Sequence, residues 1–331
     1  MAKPTKKTKL VKKLKLPPRP KKRISSINAE GKRVRSLSKH RNFRLSKRSI
    51  KSPKPLPKIK TLVMDPSKLV WQNKKLFAGL TLVYSVLSFI FIKGLGSAFD
   101  LVNTKQQLQD YFGNSIKDLQ TSFILFNHLV GSFNGQLGEV GGTYQLFLSI
   151  IVILATIWIC RQLFNGEKPK VKEALYKAMY PIIPLIITLF IITLQLIPAA
   201  IGNFLFSTVL TQGLAVTFLE KAIWFLIFIL LSVLSLYMVT SSIFAISIVT
   251  LQDLTPLKAL RSARELVLHR RLGVFGRLLV LPILGLLVFG LIFMPLVLFA
   301  PVIAEPLFLI ASSFGLIFGV VYMYNFYRLL L

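Results

Sequence analysis

The chain has 331 residues, of which 53% are hydrophobic and only 16% charged, and it carries a formal net charge of +30. Soluble domains hold about 25% charged residues. This composition, with a mean hydropathy of +0.63, therefore excludes an ordinary soluble globule and points to membrane spans. The lone cysteine, Cys160, excludes an intramolecular disulfide and a multi-cysteine metal site. Inside an apolar run it reads as a small buried hydrophobe.

Charge is concentrated at the front. Residues 1–75 hold 26 of the 42 Lys and Arg against two acids, Glu30 and Asp65. Residues 1–60 show no apolar period and carry Pro17, Pro18 and Pro20 early and Pro53, Pro55 and Pro57 late. Such a segment buries too little apolar surface to offset its ordering entropy, which predicts a disordered basic tail. Three roles suit it: attraction to anionic phospholipid headgroups, at about 1 kcal/mol per Lys or Arg near the surface; nucleic acid, which uses the same charge; or a topogenic flag. Phe43 is its one aromatic residue, so base stacking is poorly provided for. No apolar stretch of signal-peptide type precedes residue 76, so the first span is expected to direct insertion.

Residues 61–331 read as a six-helix membrane domain. A short helix is expected from Asp65, with Pro66 at its first position and Trp71, Lys74 and Lys75 at headgroup level. Span one covers about residues 76–92. The loop that follows, to residue 142, has Leu101, Leu108, Tyr111, Phe112, Ile116, Leu119, Phe123 and Phe126 at near-helical spacing, which predicts interfacial amphipathic helices. Gly131, Gly135, Gly138, Gly141 and Gly142 mark a linker. Span two covers about 144–163. Span three, about 180–201, contains Pro181, Pro184 and Pro198 and is expected to be kinked or partly unwound. An outer turn at 202–221 leads to span four, about 222–249. Span five is about 278–299, and span six about 307–327 follows an outer turn with Pro301, Glu305 and Pro306.

Orientation follows from the loop charges. The connectors after spans two and four carry Arg161, Lys168, Lys170, Lys172 and Lys177, and then Lys258, Arg261, Arg264, Arg270, Arg271 and Arg277. The other loops carry few. Both termini are thus expected in the cytoplasm, with residue 128 outside and residue 269 inside, in a cytoplasmic (inner) membrane.

The connector after span four has the strongest pattern. On a helical wheel Ala259, Leu260, Ala263, Leu266 and Val267 fill one arc, with Lys258, Arg261, Ser262, Glu265 and His269 opposite. Thr255 is placed to cap this helix, Pro256 to start it and Gly273 to end it. Phe244-Ala245-Ile246, then Gln252 to Leu266, resembles the polytopic membrane domain found on some glycerophosphodiester phosphodiesterases and related six-helix bacterial membrane proteins. In that family a span leads to an Ala-Leu-x-x-Ser-x-x-Leu helix, a Gly and another span. Ala259-Leu260, Ser262 and Leu266 supply the pattern here, and Gly273 or Gly276 the glycine. The Tyr180-Pro181 to Pro184 start of span three is also similar. The resemblance covers about residues 65–330 and brings no catalytic residue with it, because the catalytic barrel of those enzymes has no room here.

No catalytic, cofactor or metal constellation is found. His40, His128 and His269 fall in the tail, the outer loop and a connector, none with a second ligand at helical spacing. His40-Arg41-Asn42 lacks the Gly and acidic ligands of a phosphodiesterase motif. No ionisable residue lies at a span centre, which argues against proton coupling. Gln195, Ser241, Ser242 and Asn325 are the polar residues that could line a cavity, with helix packing as the competing role. Lys74, Lys75, Lys258, Arg261, Arg270 and Arg271 are candidate contacts to anionic lipid. Ala311, Gly315 and Gly319 recur every four residues and mark a close helix contact, within the bundle or in a homo-oligomer. The expectation is an all-α integral membrane fold without cofactor and without enzymatic activity, lipid-facing or scaffolding in membrane or envelope homeostasis. The alternative is a transporter or lipid-handling protein with a cavity near spans three and five. Partners are the bilayer, anionic headgroups and a membrane protein or second copy.

Overall fold

The computed structural model describes residues 56–93, 123, 125–127, 139–215, 217–251, 254–268 and 270–331. The tail to residue 55, most of the loop between spans one and two, Gln252-Asp253 and all three histidines lie outside the described residues. The elements in chain order are α1 (Ile59–Gln72), α2 (Lys74–Ser88, continued by a π turn Phe89–Lys93), α3 (Glu139–Phe164), α4 (Val171–Lys177), α5 (Ile182–Leu194), α6 (Ile197–Thr211), α7 (Phe218–Ser242), α8 (Ala245–Val249), α9 (Pro256–Val267), α10 (Arg271–Phe299) and α11 (Pro301–Leu330). Among the described residues six stretches are long and apolar enough to cross a membrane: Lys74–Phe91, Gly141–Phe164, Ile182–Thr211, Phe218–Val249, Arg271–Val297 and Pro301–Leu330. The chain is an all-α multi-pass membrane protein.

Span six is the axis of the bundle. Its helix α11 packs on α1, α2, α3 and α10. From Ile317 onward Val321, Tyr322, Tyr324, Asn325, Phe326, Tyr327 and Leu330 are all buried. This second half of α11 is enclosed by its neighbours, whereas Val302, Ile303, Leu307 and Ile310 in the first half are exposed. Around it stand Phe77, Leu80 and Tyr84 of α2, Leu154, Ile157 and Cys160 of α3, and Ala245, Ile248 and Val249 of α8. Phe244 meets Phe326 edge-on at 5.4 Å, and the Tyr84 hydroxyl and Ser149 Oγ are hydrogen-bonded at 3.0 Å.

The glycine face of α11 lies against α10. A Cβ on Gly315 would stand 3.2 Å from Phe289, and one on Gly319 3.5 Å from Leu281. Ala311 joins the cluster of Phe293, Val297, Ala304 and Phe308 at the far end of these two helices. Leu125 and Phe126, from the long loop, are buried in the same cluster.

Spans three and four form a hairpin that turns outward. Only 11% of the span-three window and 6% of the span-four window is buried, against 39% for span two. The hairpin holds itself together through Gly202, whose Cβ would come 3.2 Å from Leu231, and through Phe206, 5.7 Å from Phe225 and 5.9 Å from Phe228.

Span three breaks as its prolines predict. Pro198 has no N–H and its ring crowds the carbonyl four residues back, so α5 stops at Leu194 and α6 restarts at Ile197. The Ala199 N–H, displaced from its helical partner, donates to Ser235 Oγ of α7 at 2.9 Å.

Several boundaries differ from the sequence reading. The first helix starts at Ile59, so Pro66 sits inside α1 rather than at its start. Packing of Leu62, Leu69 and Val70 into the core outweighs the lost bond. Helix α6 runs on to Thr211, so most of the expected outer turn is helical. Thr217 and Glu220 then form a reciprocal capping box that starts α7. Pro301 opens α11 and Pro306 lies within its first turns, so the expected turn there is also helix. In the connector, α9 begins at Pro256, but Thr255 makes no side-chain cap bond. The helix ends at Val267, and Gly273 belongs to α10.

Candidate functional site

Helix α9 buries Ala259, Ala263, Leu266 and Val267 and leaves Lys258, Arg261 and Arg264 exposed. Its apolar arc faces the bundle, packing on α5, α7 and α8. It therefore closes one end of the bundle. The ends of α1, α3, α8, α10 and α11 meet at the same level, and basic side chains gather there.

Three arginines tie this end together. Arg161 donates to the Thr250 carbonyl at 3.1 Å and to Thr250 Oγ1 at 2.6 Å. Thr250 Oγ1 in turn donates to the Ser247 carbonyl at 2.8 Å. Arg270 donates to the carbonyls of Leu266, at 3.0 Å, and Leu330, at 3.2 Å, placing a cation on the last carbonyls of α9 and α11. Burial pulls the Arg270 guanidinium below its ordinary pKa, yet it stays charged. Arg277 donates to the Pro57 carbonyl at 2.7 Å, and its own carbonyl accepts from the Tyr322 hydroxyl at 2.6 Å.

The other candidate lipid contacts stand at the rim. Lys74 and Lys75 open α2 and are exposed, and Lys74 Nζ lies 5.8 Å from the Trp71 ring. Trp71 is itself exposed, as suits a headgroup-level anchor. Arg271 stacks over Tyr237 at 4.3 Å. Below that guanidinium an apolar groove of about 150 Å³ runs between α7 and α10, lined by Val233, Leu236, Thr240, Leu272 and Phe275.

A second cavity, of about 500 Å³ and with a mixed polar and apolar lining, opens between α1 and the end of α11. Asp65, Lys68 and Gln72 line it from α1, Phe164 from α3, and Asn325 and Arg328 from α11. The Arg328 guanidinium lies 3.9 Å over the Phe164 ring. Asn325 is only 6% exposed and its Nδ2 has no hydrogen-bond partner. A buried donor left unpaired costs about 1–3 kcal/mol.

The four residues proposed to line one cavity are not brought together. Gln195 stands at the α5–α6 break, a 13-residue helix away from the basic end, or about 20 Å. Its Oε1 is buried without a partner. Ser241 donates to the Met238 carbonyl at 2.7 Å. Gln195, Ser241 and Ser242 line neither cavity at the basic end, whereas Asn325 lines the second one. Sequence reasoning missed Lys68, Phe164 and Arg328, because an aromatic–arginine stack between two span ends has no local signature. Among the described residues no three His, Cys, Asp or Glu side chains converge as a metal set would. No family model, curated protein or solved structure matches the chain.

Proposed function

We propose that this non-enzymatic multi-pass membrane protein engages anionic phospholipid headgroups through its basic end, in a lipid-facing or scaffolding role in membrane or envelope homeostasis. The observation that carries this reading is the excess of positive charge at one end of the bundle. Lys68, Lys74, Lys75, Lys258, Arg261, Arg271 and Arg328 stand there with few acids between them. Each such cation within a Debye length of an anionic surface adds about 1 kcal/mol. By the bias of basic residues toward the cytoplasm, this end and both termini face the cytoplasm of a bacterial inner membrane. The tail of residues 1–60, with 23 Lys and Arg, adds to the same attraction, and nucleic acid is its second proposed partner. We propose in addition a kinship with phosphodiesterase-associated membrane domains, carried by the connector and by Tyr180-Pro181.

The test is the lipid that remains with the purified full chain. Anionic phospholipid should be enriched over the source membrane at low salt and depleted at high salt, as screening requires. Combined Lys74→Gln, Lys75→Gln, Lys258→Gln and Arg261→Gln substitutions should remove most of the enrichment. Bound lipid that mirrors the source membrane at every salt concentration would overturn the reading. The alternative, transport or lipid handling, is favoured by the unpartnered Gln195 Oε1 at the broken span. Gln195→Leu should then abolish movement of the cargo while leaving headgroup enrichment intact; unchanged function would leave Gln195 a packing residue.

A further inference from the structure

We propose that the cavity between α1 and the end of α11 is a binding site for the phosphodiester of a headgroup that also carries a hydroxyl or ammonium donor. The inference rests on the headgroup-facing reading of the basic end. Lys68 and Arg328 reach the cavity from two different helices, and neither makes a hydrogen bond or ion pair with a described residue. The Arg328 guanidinium lies 3.9 Å over the Phe164 ring, a cation–π contact that holds the charge at this wall and uses none of its five N–H donors. Asn325, nine-tenths buried with Nδ2 unpartnered, supplies a neutral amide at the same wall. A half-turn of that amide exchanges its donor and acceptor ends, so either can meet a ligand.

Asp65 decides the class of phosphate. One carboxylate beside two cations leaves a single net positive charge in the cavity. That matches a phosphodiester, with one negative charge, better than a monoester, which carries about −1.5 to −2 at neutral pH. The carboxylate also accepts from a hydroxyl or ammonium, as in a glycerol or ethanolamine head. At about 500 Å³ the space lies within the size range of small-ligand sites. Helix α1, whose Asp65, Lys68 and Gln72 line the cavity, leads directly into span one, which sets the cavity near the start of that span.

The experiment is a native mass spectrometry titration of the full detergent-solubilised chain with three probes of equal acyl length: phosphatidylglycerol, phosphatidylethanolamine and diacylglycerol. A fourth arm uses water-soluble glycerol 3-phosphoglycerol. The first two lipids should bind and diacylglycerol should not. Lys68→Gln with Arg328→Gln should weaken phosphatidylglycerol binding by about tenfold, the loss expected for charge-assisted bonds, while Asn325→Leu weakens it less. Both rim positions are exposed, so the double variant keeps the fold even where Asn325→Leu does not. Lys258→Gln with Arg261→Gln, on α9, is the control: it should reduce the general headgroup enrichment and leave this stoichiometric site within twofold. Binding of the soluble diester with the same dependence on Lys68 and Arg328 would support the site and assign its source to solution. Equal binding of diacylglycerol, or a Lys68/Arg328 variant within twofold of the parent, overturns the site. If the α9 control still lowers enrichment in that case, the headgroup reading survives without the cavity. If no basic substitution and no change of salt alters bound lipid, both fall.

Discussion

Arg161 and Glu173 show how differently two charged residues a few turns apart can act. Arg161 ends α3 and makes two bonds to Thr250, one to its carbonyl and one to Oγ1. Both partners are half-buried or buried, so each charge-assisted bond should be worth about 1.5–3 kcal/mol. Arg161→Met should therefore lower the thermal midpoint of the solubilised chain more than Thr250→Val, which keeps the bond to the Thr250 carbonyl. Equal midpoints for both variants and the parent would sink the idea that this tie matters. Glu173 is hydrogen-bonded to Lys177 one turn later, on the exposed surface of α4. That bond, with the lysine charge, holds the Glu173 carboxyl below the ordinary glutamate range. A lowered folded-state pKa means the contribution is present above the unfolded value, about 4.3, and is lost as pH falls through the folded one. Carbon-13 titration of the Glu173 carboxyl should give a midpoint below that of Glu in the unfolded chain, rising to the ordinary range in Lys177→Gln. No change on that substitution would show that the pair does not form in solution.

At the scale of elements, the break in span three separates what the sequence made legible from what it hid. Three prolines in one span announce a disrupted helix, because a proline inside a helix leaves the carbonyl four residues back without its donor and crowds it. The compensating group was not legible. Ser235 lies 36 residues from Ala199, and a serine in an apolar run ordinarily bonds its own helix. A double-mutant cycle tests the pairing. Ser235→Ala should cost about 1 kcal/mol, since it leaves the Ala199 N–H unpaired in a half-buried position. In a Pro198→Ala background the helix can close and Ala199 can donate to Gln195, so the same change should cost much less. Additive effects would mean that Ser235 does not answer the proline. Local signals of the other kind were present and readable. Gly166 and Gly213 have φ of 83° and 65° and each closes a helix: the N–H after it reaches back to Gln162 or Val209, the Schellman geometry. Thr217-Phe-Leu-Glu220 spells the capping box that starts α7. The helix packing at Gly202 is also local in cause, and Gly202→Val should splay α6 from α7, read as loss of a crosslink between cysteines placed on the two helices.

For the whole molecule, number and length of spans were legible because lipid admits little else. A backbone crossing hydrocarbon must satisfy its own polar groups, so each crossing is a long apolar helix. Which spans lie at the centre was not legible, and the reason is physical. Lipid tails are as apolar as leucine, so an apolar face turned to lipid carries no penalty and resembles a buried one in composition. Span four is the barest, with 6% of its window buried, and span two the most enclosed at 39%, yet both are uniformly apolar. The cue to burial is polar atoms on an apolar helix: Tyr322, Asn325 and Tyr327 mark α11 as the axis. Direction across the membrane is carried by charge alone, and it can be read chemically. Cys160 is free and fully buried, so Cys160→Ala gives a background without thiols. Into it go Glu167→Cys, in the turn after α3 at the basic end, and Gln212→Cys, in the turn between α6 and α7 at the other. Both positions are exposed. The turn after α3 is flanked by Lys168, Lys170 and Lys172, and residues 203–217 carry no charge; the potential that keeps basic loops in the cytoplasm should hold the first inside. An impermeant maleimide added to intact cells should label the Gln212→Cys chain, and the Glu167→Cys chain only after permeabilisation. The opposite pattern reverses the proposed orientation, and labelling of both from outside removes the alternation of spans on which the basic end depends.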